Sequence, residues 1–254
     1  MPQVRSIPRT LWIFLTASCV GIILNTFYMA DKYEINSFEK EESWRLFRYL
    51  GELVEGFDKL SGIEPAVTIY GSAVATQDQT DYQNARQIAY LLGQQGFNIV
   101  TGGGPGMMEA ANLGATEAGV KSIGLNIVLP QEQKCNTYSD LTINFNHFFV
   151  RKVMLVKYAT AFVIMPGGLG TLDELTEILT LIQTNKIKPF PVILFNSTFW
   201  RGFLDWLQTT VLVPGYISDA DIRLLRITDK PSEVLDIVSS WYLRQAIVGR
   251  QAID

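Results

Sequence analysis

Two glycine-rich turns are the parts of this sequence best suited to bind an anion. The first glycine turn is residues 101–106 (TGGGPG), and the second glycine turn is residues 166–174 (PGGLGTLDE). Each follows a short apolar run and precedes a helical pattern, and the N–H groups and dipole at a helix start favour negative charge. Pro105 suits the first position of such a helix. Neither turn is a G-x-x-x-x-G-K-[ST] P-loop or a full GxGxxG fingerprint, so we expect a nucleotide phosphate site of another kind.

Each turn also has a structural interpretation. A single tight turn between a strand and a helix is more often structural than functional, but two of them at adjacent positions favour a ligand site. The residues from Thr171 to Glu174 fit a capping box, which alone could explain Glu174. Asp173 and Glu174 would repel a phosphate that they faced, so as ligand contacts we expect them to face a sugar or an attacking water.

Between the two turns lie Arg151 and Lys152, which without further information are best explained as surface cations. His147 is the single histidine, and we interpret it as structural. Met107 and Met108 are interpreted as core residues and not as ligand contacts.

Composition excludes several classes of function. One histidine and two cysteines without CxxC spacing predict neither a metal site nor a disulfide scaffold. Acid–base chemistry must then use carboxylates, lysine, tyrosine or water. A formal net charge of −4, without a basic stripe, predicts that polymeric nucleic acid is not a partner.

The elements that position these turns alternate along the chain. Apolar, β-branched runs predict strands at residues 66–70, 97–101, 122–126, 161–165 and 191–195. Helical spacing predicts helices at residues 40–60, 82–94, 105–118, 151–158, 172–183, 200–208 and 232–243. This order predicts an α/β, Rossmann-like doubly wound fold, with a mainly parallel sheet and helices on both faces. We expect one domain over residues 40–254, preceded by an appendage over residues 1–39.

The appendage contains an uncharged stretch over residues 10–30, long enough to cross a bilayer of about 30 Å. Because Arg5 and Arg9 precede it, one interpretation is a membrane anchor with a cytoplasmic N-terminus. Another is that translation starts at Met29. An export signal fits less well, because Tyr28-Met29-Ala30 is a poor cleavage site. We expect a cytoplasmic protein, with membrane contact only if this stretch is an anchor.

Three ordered motifs resemble the LOG ("lonely guy") family, especially its bacterial longer-chain branch, also labelled "lysine decarboxylase". They are TGGGPGMMEAAN (101–112), FVRKVMLVKYA (149–159) and PGGLGTLDELTEILTLIQ (166–183), and the likeness extends from about Trp44 to about Leu235. The resemblance implies hydrolysis of the N-glycosidic bond of AMP or N6-substituted AMP, including cytokinin riboside 5′-monophosphate, to free base and ribose 5-phosphate. It also implies a small-molecule nucleoside monophosphate as the ligand, no cofactor, and a homodimer or larger homo-oligomer.

The resemblance assigns roles to individual residues. Arg151 and Glu174 match the catalytic pair: Glu174 would stabilise a ribosyl cation and orient water, and Arg151 would hold the nucleotide or ease departure of the base. The implied nucleotide contacts are Gly71, Ser72, Gly103, Gly104, Glu132, Lys152, Gly167, Gly168, Leu169, Gly170, Thr171, Asp173 and Thr180. The alternative is a non-catalytic nucleotide or cofactor carrier, which does not require the pair. The choice between adenine and prenylated adenine stays open.

Overall fold

The computed structural model describes residues 42–129 and 135–251. The apolar stretch over residues 10–30 and Glu132 both lie outside these ranges, so the predictions for them stay predictions. Across the two ranges that the structure describes, no helix is both long enough and apolar enough to span a membrane. The sheet and the candidate site belong to the compact unit that begins at Tyr49.

Strands and helices alternate through the chain. The strands are β1 (Ala66–Tyr70), β2 (Asn98–Thr101), β3 (Ser122–Ile127), β4 (Leu141–Phe145), β5 (Ala159–Ile164), β6 (Val192–Phe195) and β7 (Leu225–Thr228). The helices are α1 (Glu42–Lys59), α2 (Thr80–Gln94), α3 (Met107–Ala118), α4 (Phe148–Lys157), α5 (Leu169–Gln183), α6 (Ser197–Trp206), α7 (Asp219–Ile222) and α8 (Pro231–Gln251). A π-helical segment, Leu207–Leu212, follows α6.

Within the described residues, seven strands form one parallel sheet in the order β4-β3-β2-β1-β5-β6-β7. The chain builds outward from β1 to β4, then returns to the other side of β1 with β5. The topological switch point therefore lies between β1 and β5, and ligands of open α/β sheets bind outside the carboxyl ends of the strands at such a point. The predicted Rossmann-like α/β fold is confirmed.

The two faces of the sheet have separate hydrophobic cores. Along β1, Val67 and Ile69 point to the core shared with α2, α3 and α8. Ala66 and Tyr70 point to the opposite core, which includes α4, α5 and Trp200 of α6. This alternation follows from the two-residue period of a strand that is buried on both faces. Tyr70 thereby lies on the same face of the sheet as α4 and α5.

The structure differs from the predicted elements mainly at the edges of the sheet. Strands β4 and β7 were not predicted, because their sequences carry exposed residues at alternate or adjacent positions, such as Thr142 and Asn144 in β4 and Arg226 in β7. Edge strands have one open side, so they lack the continuous apolar run of a central strand. Helix α3 begins at Met107, so the prediction that Pro105 opens it was wrong.

Candidate functional site

The backbone of Ser72, just after β1, holds both glycine turns at the switch point. Its N–H donates to the Pro166 carbonyl at 3.0 Å, and its carbonyl accepts from the Met107 N–H at 2.9 Å. One residue therefore joins the loops that follow β1, β2 and β5. Because the Met107 N–H is used in this contact, the start of α3 does not offer that group to a ligand.

The second glycine turn leads directly into α5, which begins at Leu169 with Gly168 as its N-cap. No side chain caps this helix start, so the capping box, the structural alternative for Thr171 and Glu174, is not formed. The first N–H groups of a helix have no intrahelical acceptors. The turn therefore presents backbone donors, while Glu174 lies more than one turn into the helix and is only 5% exposed.

The glycines of the second turn have different neighbours. A Cβ atom at Gly167 would clash with the Thr171 hydroxyl, so packing inside the protein requires glycine there. At Gly168 and Gly170 a Cβ atom would meet no protein atom within 4 Å. Internal packing does not explain these two glycines, whereas close approach of a ligand to the backbone would.

Helix α4 carries Arg151, and the turn before this helix is fixed by Glu52 of α1. The buried Glu52 carboxylate accepts from the backbone N–H groups of Asn146 (3.1 Å) and His147 (3.3 Å) and from the Asn146 side chain (2.8 Å). Its Oε1 atom also lies 3.0 Å from His147 Nδ1. His147 is the N-cap of α4, and its carbonyl accepts from the Arg151 N–H. The contact with Glu52 at the start of α4 supports the structural interpretation of His147.

Arg151 and Glu174 face each other across the site. The Arg151 Nη2 atom lies 3.9 Å from Glu174 Oε1, which is an ion pair but too long for a hydrogen bond. Burial raises the pKa of Glu174 to about 7, although Arg151 and Lys152 oppose this shift. Burial lowers the pKa of Arg151, and Glu174 partly offsets that effect. A guanidinium still stays charged at neutral pH, whereas a carboxyl with a pKa near 7 can exchange a proton there.

The first glycine turn is fixed by a buried polar network. Asn136 donates from its backbone N–H to the Gly103 carbonyl and from its side chain to the Gly104 carbonyl, both at 3.0 Å. Its side chain also donates to Asn112, which accepts from the Thr101 hydroxyl at 2.6 Å. Gly103 and Gly104 are buried in this network, so in the structure they shape the turn and do not line the cavity.

A cavity of about 420 Å³ lies where the loops after β1, β2 and β5 meet helix α4. Of the residues predicted from the sequence, those that line it are Gly71, Ser72, Arg151, Gly168, Gly170, Thr171, Asp173 and Glu174. Apolar side chains on its walls include Val74, Met108, Ile127, Leu129, Phe148 and Leu155. Polar groups thus gather at the second turn and α4, with apolar surface around them.

Several predicted contacts lie away from the cavity. Lys152 Nζ pairs with Asp173 Oδ2 at 2.8 Å and Glu177 Oε2 at 3.2 Å, so its charge is balanced within the protein. The Thr180 hydroxyl donates to the Thr176 carbonyl inside α5. Leu169 is 85% exposed, and Gly167 faces Thr171. Helical periodicity explains these positions, because neighbours within one motif point in different directions.

Other cavity residues were missed or misinterpreted from the sequence. Tyr70 closes β1 directly before Gly71, and Gly102 lies under Arg151: a Cβ atom there would lie 3.4 Å from Arg151 Nη1. Met107 is a core residue as predicted, but Met108 lines the cavity, so its assignment to the core was wrong. A position at the carboxyl end of a central strand was the one signal available for Tyr70.

Solved structures share this fold. The chain matches a molybdenum cofactor binding protein from Rippkaea orientalis with a TM-score of 0.51 and 26% identity, over 69% of this chain and 94% of that chain. A molybdenum cofactor carrier protein from Chlamydomonas reinhardtii matches with a TM-score of 0.52 at 21% identity, over 70% and 98% of the two chains. The second likeness shows the fold alone.

Sequence comparison identifies the family. The cytokinin riboside 5′-monophosphate phosphoribohydrolase LOG of Oryza sativa subsp. japonica is 28% identical over 176 residues, or 67% of this chain and 71% of the rice protein. A phosphoribohydrolase of the same description from Arabidopsis thaliana is 27% identical over 172 residues, or 65% and 78% of the two chains. A family model described as "Possible lysine decarboxylase" matches residues 108–238, slightly more than half of the chain. The chain therefore belongs to the LOG family, which this model describes under its older decarboxylase label.

Proposed function

We propose that this protein hydrolyses the N-glycosidic bond of a nucleoside 5′-monophosphate, AMP or N6-substituted AMP, to give a free base and ribose 5-phosphate. The observation that carries the proposal is the Arg151–Glu174 pair, buried beside a glycine-rich helix start in one cavity. A site that only held a phosphate would need the helix start but not a buried carboxyl with a pKa near 7.

The phosphate binds at the second glycine turn. Gly168 and Gly170 leave room for phosphate oxygens to approach the backbone, and the free N–H groups and dipole of α5 favour the negative charge. Thr171 lines the cavity and supplies a hydroxyl donor on the same turn. In this arrangement the phosphate is bound mainly by backbone donors, which suits a turn without lysine.

Glu174 acts on the sugar. The bond from the base to C1′ breaks with its electron pair leaving on the base, so positive charge develops on the ribose. The Glu174 carboxylate stabilises that charge and accepts a proton from the attacking water, whose oxygen forms the new bond to C1′. The departing base takes a proton from solvent, and Glu174 returns its own proton to solvent, so the net reaction consumes one water. No cofactor is needed for this balance.

Arg151 binds the nucleotide and stabilises negative charge on the departing base. Its guanidinium lies over the Phe148 ring, with Cζ 5.6 Å from the ring centroid, which fixes its position at the cavity wall. The apolar side chains that line the cavity together with Arg151, including Met108 and Leu129, suit a flat, mostly apolar base. The predicted homo-oligomer stays a prediction.

The plant relatives, which are described as cytokinin riboside 5′-monophosphate phosphoribohydrolases, support this proposal. The second candidate function is a non-catalytic carrier of a nucleotide or cofactor, favoured by the likeness to the Rippkaea orientalis protein. A carrier needs the cavity but gives no reason for the Arg151–Glu174 pair. We therefore rank hydrolysis first.

The two functions are separated by incubating the purified protein with AMP and with N6-isopentenyl-AMP and measuring free base and ribose 5-phosphate by chromatography. Hydrolysis predicts that wild type forms both products in equal amounts, and that Glu174→Gln forms much less of both. Glu109→Gln is the matched control, because Glu109 bonds to Tyr82 outside the cavity and its loss leaves the site intact. Tight AMP binding without any base release would instead support the carrier.

A further inference from the structure

Three buried polar atoms at the candidate site have no hydrogen-bond partner within the described residues. They are the Tyr70 hydroxyl, the Arg151 Nε atom and the Glu174 Oε2 atom. Buried polar groups are nearly always hydrogen-bonded, because leaving one unpaired costs free energy. Three such atoms on neighbouring side chains indicate an arrangement that is completed only in another state of the site.

Tyr70 is held firmly between strand and helix. It is the last residue of β1, it is 6% exposed, and its ring stacks on Phe162 of β5 with centroids 6.5 Å apart. Two residues earlier on the same face, the Thr68 hydroxyl donates to the Leu155 carbonyl and holds α4 against β1. The ring of Tyr70 is therefore fixed, and Tyr70 lines the same cavity as Arg151 and Glu174.

The electrostatic surroundings link the Tyr70 hydroxyl to both members of the pair. Burial raises the pKa of Tyr70 well above its usual value, the charge of Glu174 adds to this shift, and Arg151 opposes it. The phenol thus stays protonated at every working pH. An Arg Nε atom can only donate, a carboxylate oxygen can only accept, and a tyrosine hydroxyl does both. The three unpaired atoms are complementary in type.

We propose that Tyr70 is a positioning residue that joins Arg151 to Glu174 when the substrate sugar is bound. The Arg151 Nε–H donates to the Tyr70 oxygen, and the Tyr70 O–H donates to Glu174 Oε2. The second bond fixes the orientation of the carboxylate towards the sugar and stabilises its ionised form. This inference rests on the proposed hydrolysis, and it adds a third residue to the predicted pair.

Tyr70→Phe removes only the hydroxyl and keeps the ring that packs on Phe162. Loss of a hydrogen bond to a charged group should lower kcat of Tyr70→Phe by about 10- to 100-fold. KM for AMP should change less than about threefold. Loss of the donor also raises the pKa of Glu174, so the acidic limb of the kcat–pH profile moves to higher pH. The other groups around Glu174 are Arg151 and Lys152 of α4 and Asp173 and Glu177 of α5, and all four are retained in the variant.

Tyr82→Phe is the matched control. Tyr82 is also buried, but its hydroxyl donates to Glu109 at 3.0 Å, outside the cavity. We expect Tyr82→Phe to lower the thermal midpoint without changing kcat or the pH profile, and Tyr70→Phe not to lower the midpoint of the ligand-free protein. A destabilised Tyr70→Phe would overturn the inference, because its hydroxyl would then be bonded before the ligand arrives.

A second measurement separates this inference from the proposed function. The Glu174 carboxyl is titrated by carbon NMR in wild type and Tyr70→Phe, with ribose 5-phosphate, the proposed product, as the probe. A higher Glu174 pKa in the variant supports the hydrogen bond, and an unchanged pKa overturns it, whether or not the protein releases base. Absence of base release from wild type overturns the hydrolytic function instead.

Discussion

The Nη2 atom of Arg151 lies 3.9 Å from the Oε1 atom of Glu174, although the two residues are on helices that follow different strands. Helix α4 enters after the edge strand β4, and α5 enters after β5 beside the switch point. The distance is short enough for attraction between opposite charges and too long for a hydrogen bond. Both groups therefore keep hydrogen-bonding capacity that a ligand can use.

The raised pKa of the buried Glu174 carboxyl predicts that the stability of the fold depends on pH. Its folded-state pKa, about 7, lies above its unfolded value of about 4.5. The fold thus favours the protonated form, and the stability linked to it is complete below pH 4.5 and is lost as pH rises through 7. Glu174→Gln removes this loss, so it should stabilise the protein above pH 7 by on the order of 3 kcal/mol relative to wild type.

Denaturant unfolding of both proteins at pH 5 and pH 8 measures this effect. We expect the difference in unfolding free energy between Glu174→Gln and wild type to be small at pH 5 and to grow in favour of the variant by pH 8. A variant that is less stable at both pH values would show that the Glu174 carboxyl supports the fold, as a helix cap would.

The same pKa predicts how activity depends on pH. Glu174 must be ionised to stabilise the ribosyl cation and to accept a proton, so kcat/KM should rise as pH increases through about 7. This rise of kcat/KM with pH should be absent from the residual activity of Glu174→Gln. Initial rates with AMP from pH 5 to pH 9 test this, and activity that falls through pH 7 would contradict a role for the carboxylate.

The sequence predicted the central elements and the neighbourhood of the site because these depend on local patterns. Strand β1 matches its predicted bounds, since five consecutive apolar or β-branched residues leave little ambiguity. The edge strands β4 and β7 were not predicted, because a strand with one open side lacks the continuous apolar run of a central strand. The start of α5 at Leu169 was not predicted, because the residues from Thr171 to Glu174 match a capping box that the helix does not form.

Contacts between residues far apart in the chain could not be predicted from the sequence. Glu52 and His147 are 95 positions apart, and nothing local indicates that they meet. The surroundings of the Tyr70 hydroxyl come from α4 and α5, which follow β1 in the sequence by more than 75 residues and lie on its face of the sheet. Motifs therefore predicted Arg151 and Glu174, whereas the groups that orient them became visible only in the folded protein.

The contact between Glu52 and His147 predicts a long-range effect on Arg151. Glu52→Ala leaves the N–H groups of Asn146 and His147 without their acceptor at the start of α4. We expect a loss of roughly 2–4 kcal/mol in stability, because a buried, hydrogen-bonded charge is removed from several donors. We also expect kcat to fall, since Arg151 is only one turn along the same helix.

Glu55→Ala on the same helix is the control, because Glu55 pairs with Lys59 at the surface and such pairs contribute little. Thermal unfolding and AMP kinetics of both variants give the comparison. Glu52→Gln keeps one acceptor oxygen and should recover part of the lost stability. If Glu52→Ala lost stability but kept full kcat, the residue would support the fold without positioning Arg151.

Gly170 and Gly202 allow a test of the phosphate site that separates binding from folding. Both glycines lie inside helices, and at both a Cβ atom would meet no protein atom within 4 Å. Alanine favours helix by up to about 1 kcal/mol over glycine, so neither Gly170→Ala nor Gly202→Ala should destabilise the protein. Of these two glycines only Gly170 lines the cavity, and there a methyl group would occupy space that we assign to phosphate oxygens.

Gly170→Ala should therefore raise KM for AMP at least about tenfold, which corresponds to the loss of one good hydrogen bond to the phosphate. Gly202→Ala should leave KM unchanged. Equal KM values for the two variants would place the phosphate elsewhere in the cavity.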